Sequence, residues 1–163
     1  MSENNKEHRV NFALVNIKTD QLDIHPETFD ENKQVSIQAG INFGVDKQKH
    51  LIKVLFNHNF VHQEIEENEK KKITPIIELA VSCVFALDKE SWELLEKEEE
   101  KVFILPKGLA SHFASMTAGT ARGILHNETE HTDYNKFIIP ANNVGDVIPN
   151  NVQIPLEKPS SQN

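Results

Sequence analysis

The sequence predicts an α+β fold: a four-stranded antiparallel sheet packed with a long C-terminal helix and a second, short helix. Three observations carry this. Val35, Ile37, Ala39, Ile41 and Phe43 alternate strictly with Ser36, Gln38, Gly40 and Asn42, the two-residue period of a half-buried strand, and Ile77 to Leu87 repeats the pattern. Beyond Lys107 the apolar spacing changes to three and four residues, the period of a helix with one apolar stripe. The connections between strands are too short for the crossovers that parallel neighbours need, so the strands run antiparallel. A chain of 163 residues suits one core.

The first strand lies between Asn11 and His25. Val15 and Ile17 keep one phase, Leu22 and Ile24 the other, and the parity change after Lys18-Thr19-Asp20 predicts a β-bulge or two strand segments. His25 to Asn32 is rich in turn formers and reads as a loop. A second alternating run follows the first clean strand. It sets Ile52, Val54, Phe56, His58 and Phe60 on one face and Leu51, Leu55 and Val61 on the other. With both faces partly apolar, this strand should cover something on each side, such as its own helix layer and a neighbouring subunit. Glu64 to Lys72 is a charge-dense hairpin connection, and Pro75, which cannot donate to a ladder, marks the start of the last strand. There Ile77, Leu79, Val81, Cys83, Phe85 and Leu87 form the inward set, and Ile76, Glu78, Ala80, Ser82, Val84 and Ala86 the outward one.

Ser91 to Lys101 carries Trp92 and Leu95 at helical spacing in an acidic setting, which predicts a short amphipathic helix, and Val102 to Pro106 is an apolar connector. The long helix spans Lys107 to His126, with Leu109, Phe113, Met116, Thr120 and Ile124 in one stripe. Its neighbouring stripe, Ala110, Ala114, Thr117, Ala118 and Ala121, is small enough to admit another backbone, either the sheet or a symmetry-related helix. Phe137 to Pro140 is a last apolar insertion. Residues 1–9 and the Pro-, Asn- and Ser-rich residues 149–163 are predicted disordered, which leaves 10–148 as a single domain.

Composition excludes several functions. Seventeen Lys and Arg against 25 Asp and Glu give a net charge of -8, which repels nucleic acid. No apolar run is long enough to span a bilayer and Met1 to His8 lacks the apolar stretch of a signal peptide, so neither membrane insertion nor secretion is expected. A single cysteine, Cys83, permits neither an intrachain disulfide nor a thiolate zinc cage, and a reducing cytoplasmic setting fits best.

No chemistry-bearing constellation emerges. His58 and His62 are four residues apart, about 13 Å along a strand, too far for one zinc. His126, Glu128, Glu130 and His131 are dense in ligand types, yet the loop after a helix is commonly polar. Cys83 sits inward between Val81 and Phe85, where a thiol behaves as a small hydrophobe. Ser111, His112 and Ser115 diverge around a helix without a nucleophile elbow, and no glycine-rich phosphate loop occurs. No cofactor is expected, and the chain does not read as an enzyme. Its conspicuous feature is excess apolar surface, to be completed by oligomerisation or by a hydrophobic client.

Several segments, taken in order, resemble the SecB family of protein-export chaperones over roughly residues 10 to 148. Leu79-Ala80-Val81-Ser82-Cys83-Val84-Phe85-Ala86-Leu87 is similar to the family's fourth strand, with Val84-Phe85 where the family has Ile-Phe. Phe103-Ile104-Leu105-Pro106 and the Ala-rich helix reaching Arg122-Gly123 resemble its Leu-Phe-Pro segment and its helix closing on Arg-Gly. Phe137-Ile138-Ile139-Pro140-Ala141-Asn142-Asn143-Val144 is similar to its Leu-Ala-Pro-Val-Asn-Phe stretch. Departures are also present. Lys107-Gly108-Leu109-Ala110 replaces the family's Tyr-Ala-Arg, Ser82-Cys83 replaces glycines, and residues 91 to 101 are shorter and more charged, as in a divergent branch that includes toxin–antitoxin-associated chaperones.

The resemblance implies a homotetramer, a dimer of dimers, that holds unfolded preproteins in apolar grooves without ATP, for protein export and translocation. It implies client contacts along Phe56, Phe60, Trp92, Val102, Phe103 and Ile104, with plain core or subunit interface as the competing role of these side chains. Docking of the motor SecA would involve Ile76 and Glu78, whose spacing matches the family's, with Asp20 and Asp23 as candidates on the first strand; whether SecA is a partner is left open. The alternative is a SecB-like assembly or toxin–antitoxin-associated module without an export role.

Overall fold

The computed structural model describes residues 9–141 and 147–156. The stretch predicted disordered at the N-terminus lies, apart from Arg9, outside the described residues. Four long strands, β1 (Phe12–Ile24), β2 (Val35–Asp46), β3 (Leu51–Ile65) and β4 (Lys71–Leu87), form an antiparallel sheet in the order β1-β4-β3-β2. The α+β class and the four-strand arrangement are as the sequence predicts. Pairing of the first strand with the last is the one non-local step, and it makes β1 and β2 the sheet margins.

Bulges reconcile sequence parity with sheet parity. In β1 the register slips at Val15 and again at Asp20, the second at the predicted place. Each slip restores apolar residues to the inner face, so Leu14, Ile17, Leu22 and Ile24 all stand opposite inward residues of β4. A third slip lies between β3 and β4, where Phe60 opposes Ile77 and Val61 opposes Pro75, leaving Ile76 as the extra residue. Ile76 therefore does not face outward as its parity predicts; it is buried with Ile77 in one core cluster. The same slip accommodates Pro75 inside a strand that begins at Lys71, four residues before the predicted start, because a bulge needs no ladder donor from it.

The chain continues through α1 (Lys89–Leu95), β5 (Glu96–Lys97), β6 (Val102–Leu105), α2 (Lys107–Thr129) and, after a 3₁₀ turn at Asp133–Lys136, β7 (Val152–Pro155). Asp88 caps α1, accepting a 2.8 Å bond from the Ser91 amide and a 3.0 Å bond from the Asn11 side chain, which ties the entry of β1 to this helix. These donors hold the Asp88 carboxyl below the usual carboxylate range. The helix stops at Leu95 rather than at Lys101: Glu96 and Lys97 pair with Phe103 and Val102, and a turn at residues 97–101 reverses the chain. Two further predictions are corrected here. The apolar connector is a strand, the centre of a small β5-β6-β7 sheet, and the tail predicted disordered from Pro149 contains its third strand; residues 157–163 lie outside the described residues.

Helix α2 crosses the inner face over β3 and β4. Ala110, Ala114, Thr117, Ala118 and Ala121 are buried, so the small stripe answers to the sheet, while Leu109, Met116, Thr120 and Ile124 are half-buried. Phe113 and Leu125 are the large side chains of α2 buried there, and Phe113 stacks on Phe85 at 4.1 Å between centroids with planes 7° apart. Filling the stripe should lift the helix. Ala114→Leu is expected to cost about 1–3 kcal/mol in urea unfolding, and Ser115→Ala on the exposed side less than about 0.5 kcal/mol. Equal effects would show that the small stripe does not set the packing distance.

Candidate functional site

The inner face is covered only along its middle. A helix is about 10–12 Å across with its side chains, the width of two strands spaced about 4.8 Å apart, so one helix cannot cover four. On β1, Leu14 and Ile17 are 43% and 49% exposed, and on β2 Ile37 is 46% exposed. Phe12 is the inward β1 side chain that reaches the helix, meeting Phe113 edge to face at 4.8 Å and His112 at 5.8 Å. Beyond it Leu14 and Ile17 are uncovered, Leu22 and Ile24 pack half-buried against the core, and the strand's outer ladder edge has no partner among the described residues.

The side chains expected to contact clients divide sharply. Phe56, Phe60, Trp92 and Phe103 are buried core, and only Val102 and Ile104 are half-exposed. Trp92 lies between Phe103 (4.4 Å) and His50 (5.1 Å), and Phe60 packs on Phe137 (5.2 Å). The four aromatics therefore line no open groove of the single chain. What sequence reasoning missed is the uncovered margin: Leu14, Ile17 and Ile37 read as ordinary strand residues, and only the helix's lateral position distinguishes them from core.

The expected docking carboxylates are brought together on the outer face. Asp23 is the β-sheet partner of Glu78, and Asp20 accepts a 2.7 Å bond from Ser82 while lying 3.7 Å from Lys18. Ile76 is removed from this surface by its bulge. The neighbouring outward positions are flat. Gly40 and Gly44 face open space, and Asn57 and Asn59 of β3 oppose Ala80 and Glu78.

His25, unremarked in the sequence, completes the corner, its Nε2 2.9 Å from Glu78 Oε2 and its Nδ1 3.6 Å from Glu27. The hydrogen bond to Glu78 is the largest cause of a His25 pKa raised above 6.5, opposed by desolvation and aided by the charges of Glu78, Glu27 and Asp23. Because the folded value is raised, the contact is complete below pH 6.5 and weakens as pH climbs through the folded pKa. Nothing local in the sequence signals this pair, 53 residues apart; it exists because β1 lies beside β4.

Neither member of the His58 and His62 pair is arranged as a metal ligand. His62 Nδ1 is 3.0 Å from the Gln34 carbonyl oxygen and its Nε2 accepts from the Asp30 amide at 3.0 Å, which pins the loop between β1 and β2. His58 is buried between Phe56 and Phe60, with neither ring nitrogen hydrogen-bonded. Burial, and secondarily the charge of Arg122, lowers its pKa from 6.5 to about 4. Arg122 itself donates to the Ile139 and Pro140 carbonyls, at 2.9 and 3.1 Å. Among the described residues no group of three His, Cys, Asp or Glu could hold a metal, and no described helix is long and apolar enough to cross a membrane.

Two titrations check these assignments. Glu78→Gln should shift the His25 NMR titration down toward 6.5, and an unchanged midpoint would show that another group sets it. For His58 the unfolded chain takes up its proton near 6.5 and the folded chain only near about 4, so its stabilising effect is present above 6.5 and lost as pH falls toward 4. By about pH 5 the loss relative to pH 7 should be about 1–2 kcal/mol after allowance for solvent screening. Urea unfolding at both pH values should show this loss in the native chain and not in His58→Leu.

No family profile and no curated protein matches the sequence. Among solved structures the chain is similar to a SecB-like chaperone of Mycobacterium tuberculosis in complex with a ChAD peptide from an antitoxin. The match covers 80% of this chain and 90% of that one, with 10% sequence identity and a TM-score of 0.45.

Proposed function

We propose that the chain is an ATP-independent holdase that binds unfolded polypeptides as a homotetramer, a dimer of dimers, without enzymatic activity. The observation that carries this reading is the bare apolar margin on each side of α2, with Leu14 and Ile17 on β1 and Ile37 on β2. Apolar rows of this kind call for cover by another chain. β1 adds a ladder edge without a partner among the described residues, which suits a second copy of the chain. Clients would then occupy the apolar surface that remains, including the half-exposed Val102 and Ile104. Extended chains lose entropy on binding, so many modest apolar contacts are needed and sequence specificity stays low.

Delivery to the export motor belongs to this reading through the acidic corner of Asp20, Asp23 and Glu78, which would attract a basic partner surface such as SecA over a screening length of about 8 Å at physiological ionic strength. A cytoplasmic location goes with that role. A second reading, an assembly or toxin–antitoxin-associated module without holdase activity, is favoured by one observation: Phe56, Phe60, Trp92 and Phe103 are core.

Suppression of aggregation of a reduced, unfolded protein, measured without nucleotide at one client per oligomer, separates the two. Strong suppression is expected, together with a light-scattering mass near four times 18.6 kDa. Ile37→Asp should weaken suppression several-fold while keeping the oligomer, and Ile17→Asp should lower the mass. An intact oligomer that leaves aggregation unchanged would establish the assembly module instead.

A further inference from the structure

Strand β7 sits where the sequence places client contacts. It closes the edge of β6, with Phe103 opposite Ile154, Ile104 opposite Gln153 and Leu105 opposite Val152. Two bonds beyond the ladder fasten it, from the Lys107 amide to Asn151 Oδ1 at 2.9 Å and from the Leu156 amide to the Lys101 carbonyl at 3.0 Å. Its side chains alternate, with Ile154 buried, Val152 and Leu156 half-buried, and Asn151, Gln153 and Pro155 exposed. The segment is thus a short extended peptide with aliphatic residues two apart, the pattern that any unfolded polypeptide offers many times over.

We propose that β7 is a displaceable internal stand-in for a client: the β6 edge is a peptide-binding edge, occupied by the chain's own strand until another extended segment with aliphatic residues at alternate positions adds in its place. The proposal rests on the holdase reading for the identity of that incoming segment. Three features suit β7 to exchange. It is held by one buried side chain, Ile154, with Val152 and Leu156 half-buried against the same core and β2 alongside, whereas α2 has eight buried residues. It lies at the margin of its sheet. Its departure leaves the main sheet and α2 in place while uncovering the β6 backbone and the apolar seat of Ile154 beside Phe103. Local opening of such a weakly anchored element is far easier than unfolding of the domain. Backbone pairing supplies affinity with little regard to sequence, and the Ile154 seat supplies a preference for an aliphatic side chain. This also accounts for the burial of Phe103, which is covered in part by the stand-in.

The test compares locked and released forms of the full chain. Ile104→Cys with Gln153→Cys places two thiols opposite each other on β6 and β7, and native Cys83 is buried away from them. Ile154→Asp weakens the seat of β7 without touching β6. The probe is a fluorescein-labelled peptide of residues 149–157, read by anisotropy. Tethered β7 competes at a high effective concentration, so Ile154→Asp should bind the peptide at least about tenfold more tightly than the native chain. The oxidised double-cysteine protein should not bind, and reduction should restore binding to the native level. Equal binding by the oxidised and reduced forms overturns the proposal, as does absence of binding by a folded Ile154→Asp; if that variant fails to fold, the oxidised and reduced forms decide alone. A reduced, unfolded protein should then displace the peptide. Peptide exchange without such competition keeps the displaceable strand and removes the client from it, whereas aggregation suppression without peptide exchange keeps the holdase reading and removes the strand from it.

Discussion

The width of one helix against four strands is the constraint on which the rest of this structure depends. The small stripe from Ala110 to Ala121 brings α2 close to the sheet, which gives a dense contact over β3 and β4 and, further out, the contact of Phe12 with Phe113 and His112. All other coverage must come from segments that reach around. At one end, the loop after β1 folds back and is held by His62 and by the Thr28 hydroxyl, which lies 2.6 Å from the Pro75 carbonyl, and Phe29 packs against Tyr134 and Phe137. At the other, α1 and the small β5-β6-β7 sheet enclose Trp92, Phe103 and Leu105. This cover reaches only parts of the sheet margins, such as Leu22 and Ile24 on β1 and Phe43 and Val45 on β2, which is why the exposed apolar side chains Leu14, Ile17 and Ile37 are strand residues rather than loop residues.

Much of the sheet was legible because it has two unlike faces. The alternation in β2 and β4 reports directly which side meets α2, and the parity change at Asp20 reports a bulge for the same reason. Ile76 escaped this logic. A bulge that inserts one residue between two apolar neighbours, Pro75 and Ile77, leaves no polar marker in the sequence, so parity assigned it outward. The end of α1 was hidden by propensity: Glu-Lys-Glu-Glu-Glu-Lys is good helix sequence, and pairing of Glu96 and Lys97 with β6 overrides it. The small strand β7 was less visible still. Val152 to Pro155 is strand only because β6 offers an edge, and a proline-flanked, asparagine-rich segment carries no sign of that edge.

The candidate site was legible in chemistry and not in location. Apolar excess is a property of composition and pattern, so the sequence shows that something must cover it; which residues are covered by the chain itself is decided by lateral packing that no local pattern encodes. Trp92 and Phe103 were therefore assigned to a groove when they belong to the core, whereas the aliphatic residues of the margins looked unremarkable. Asp20 and Asp23, three residues apart, share a face only through the bulge at Asp20, and the pairing of Asp23 and of His25 with Glu78 exists only through the non-local pairing of β1 with β4.

Two peptide-accepting edges raise the question of which would serve a second copy and which a client. β1 is long and carries bulges at Val15 and Asp20. Bulges twist an edge and break its register, so a random extended segment pairs poorly with it, while an identical irregular edge related by a two-fold axis meets its own complement. β6 is the opposite case. It is four residues long with no register shift in its pairing, and it is matched by a segment as ordinary as Val152-Gln153-Ile154-Pro155. An edge that demands an irregular partner selects for self, and an edge that accepts a generic strand selects for almost anything extended and aliphatic. On this argument the proposed assembly would use β1 and the proposed client capture β6, and among the described residues only the second of these edges has a strand of the chain's own across it.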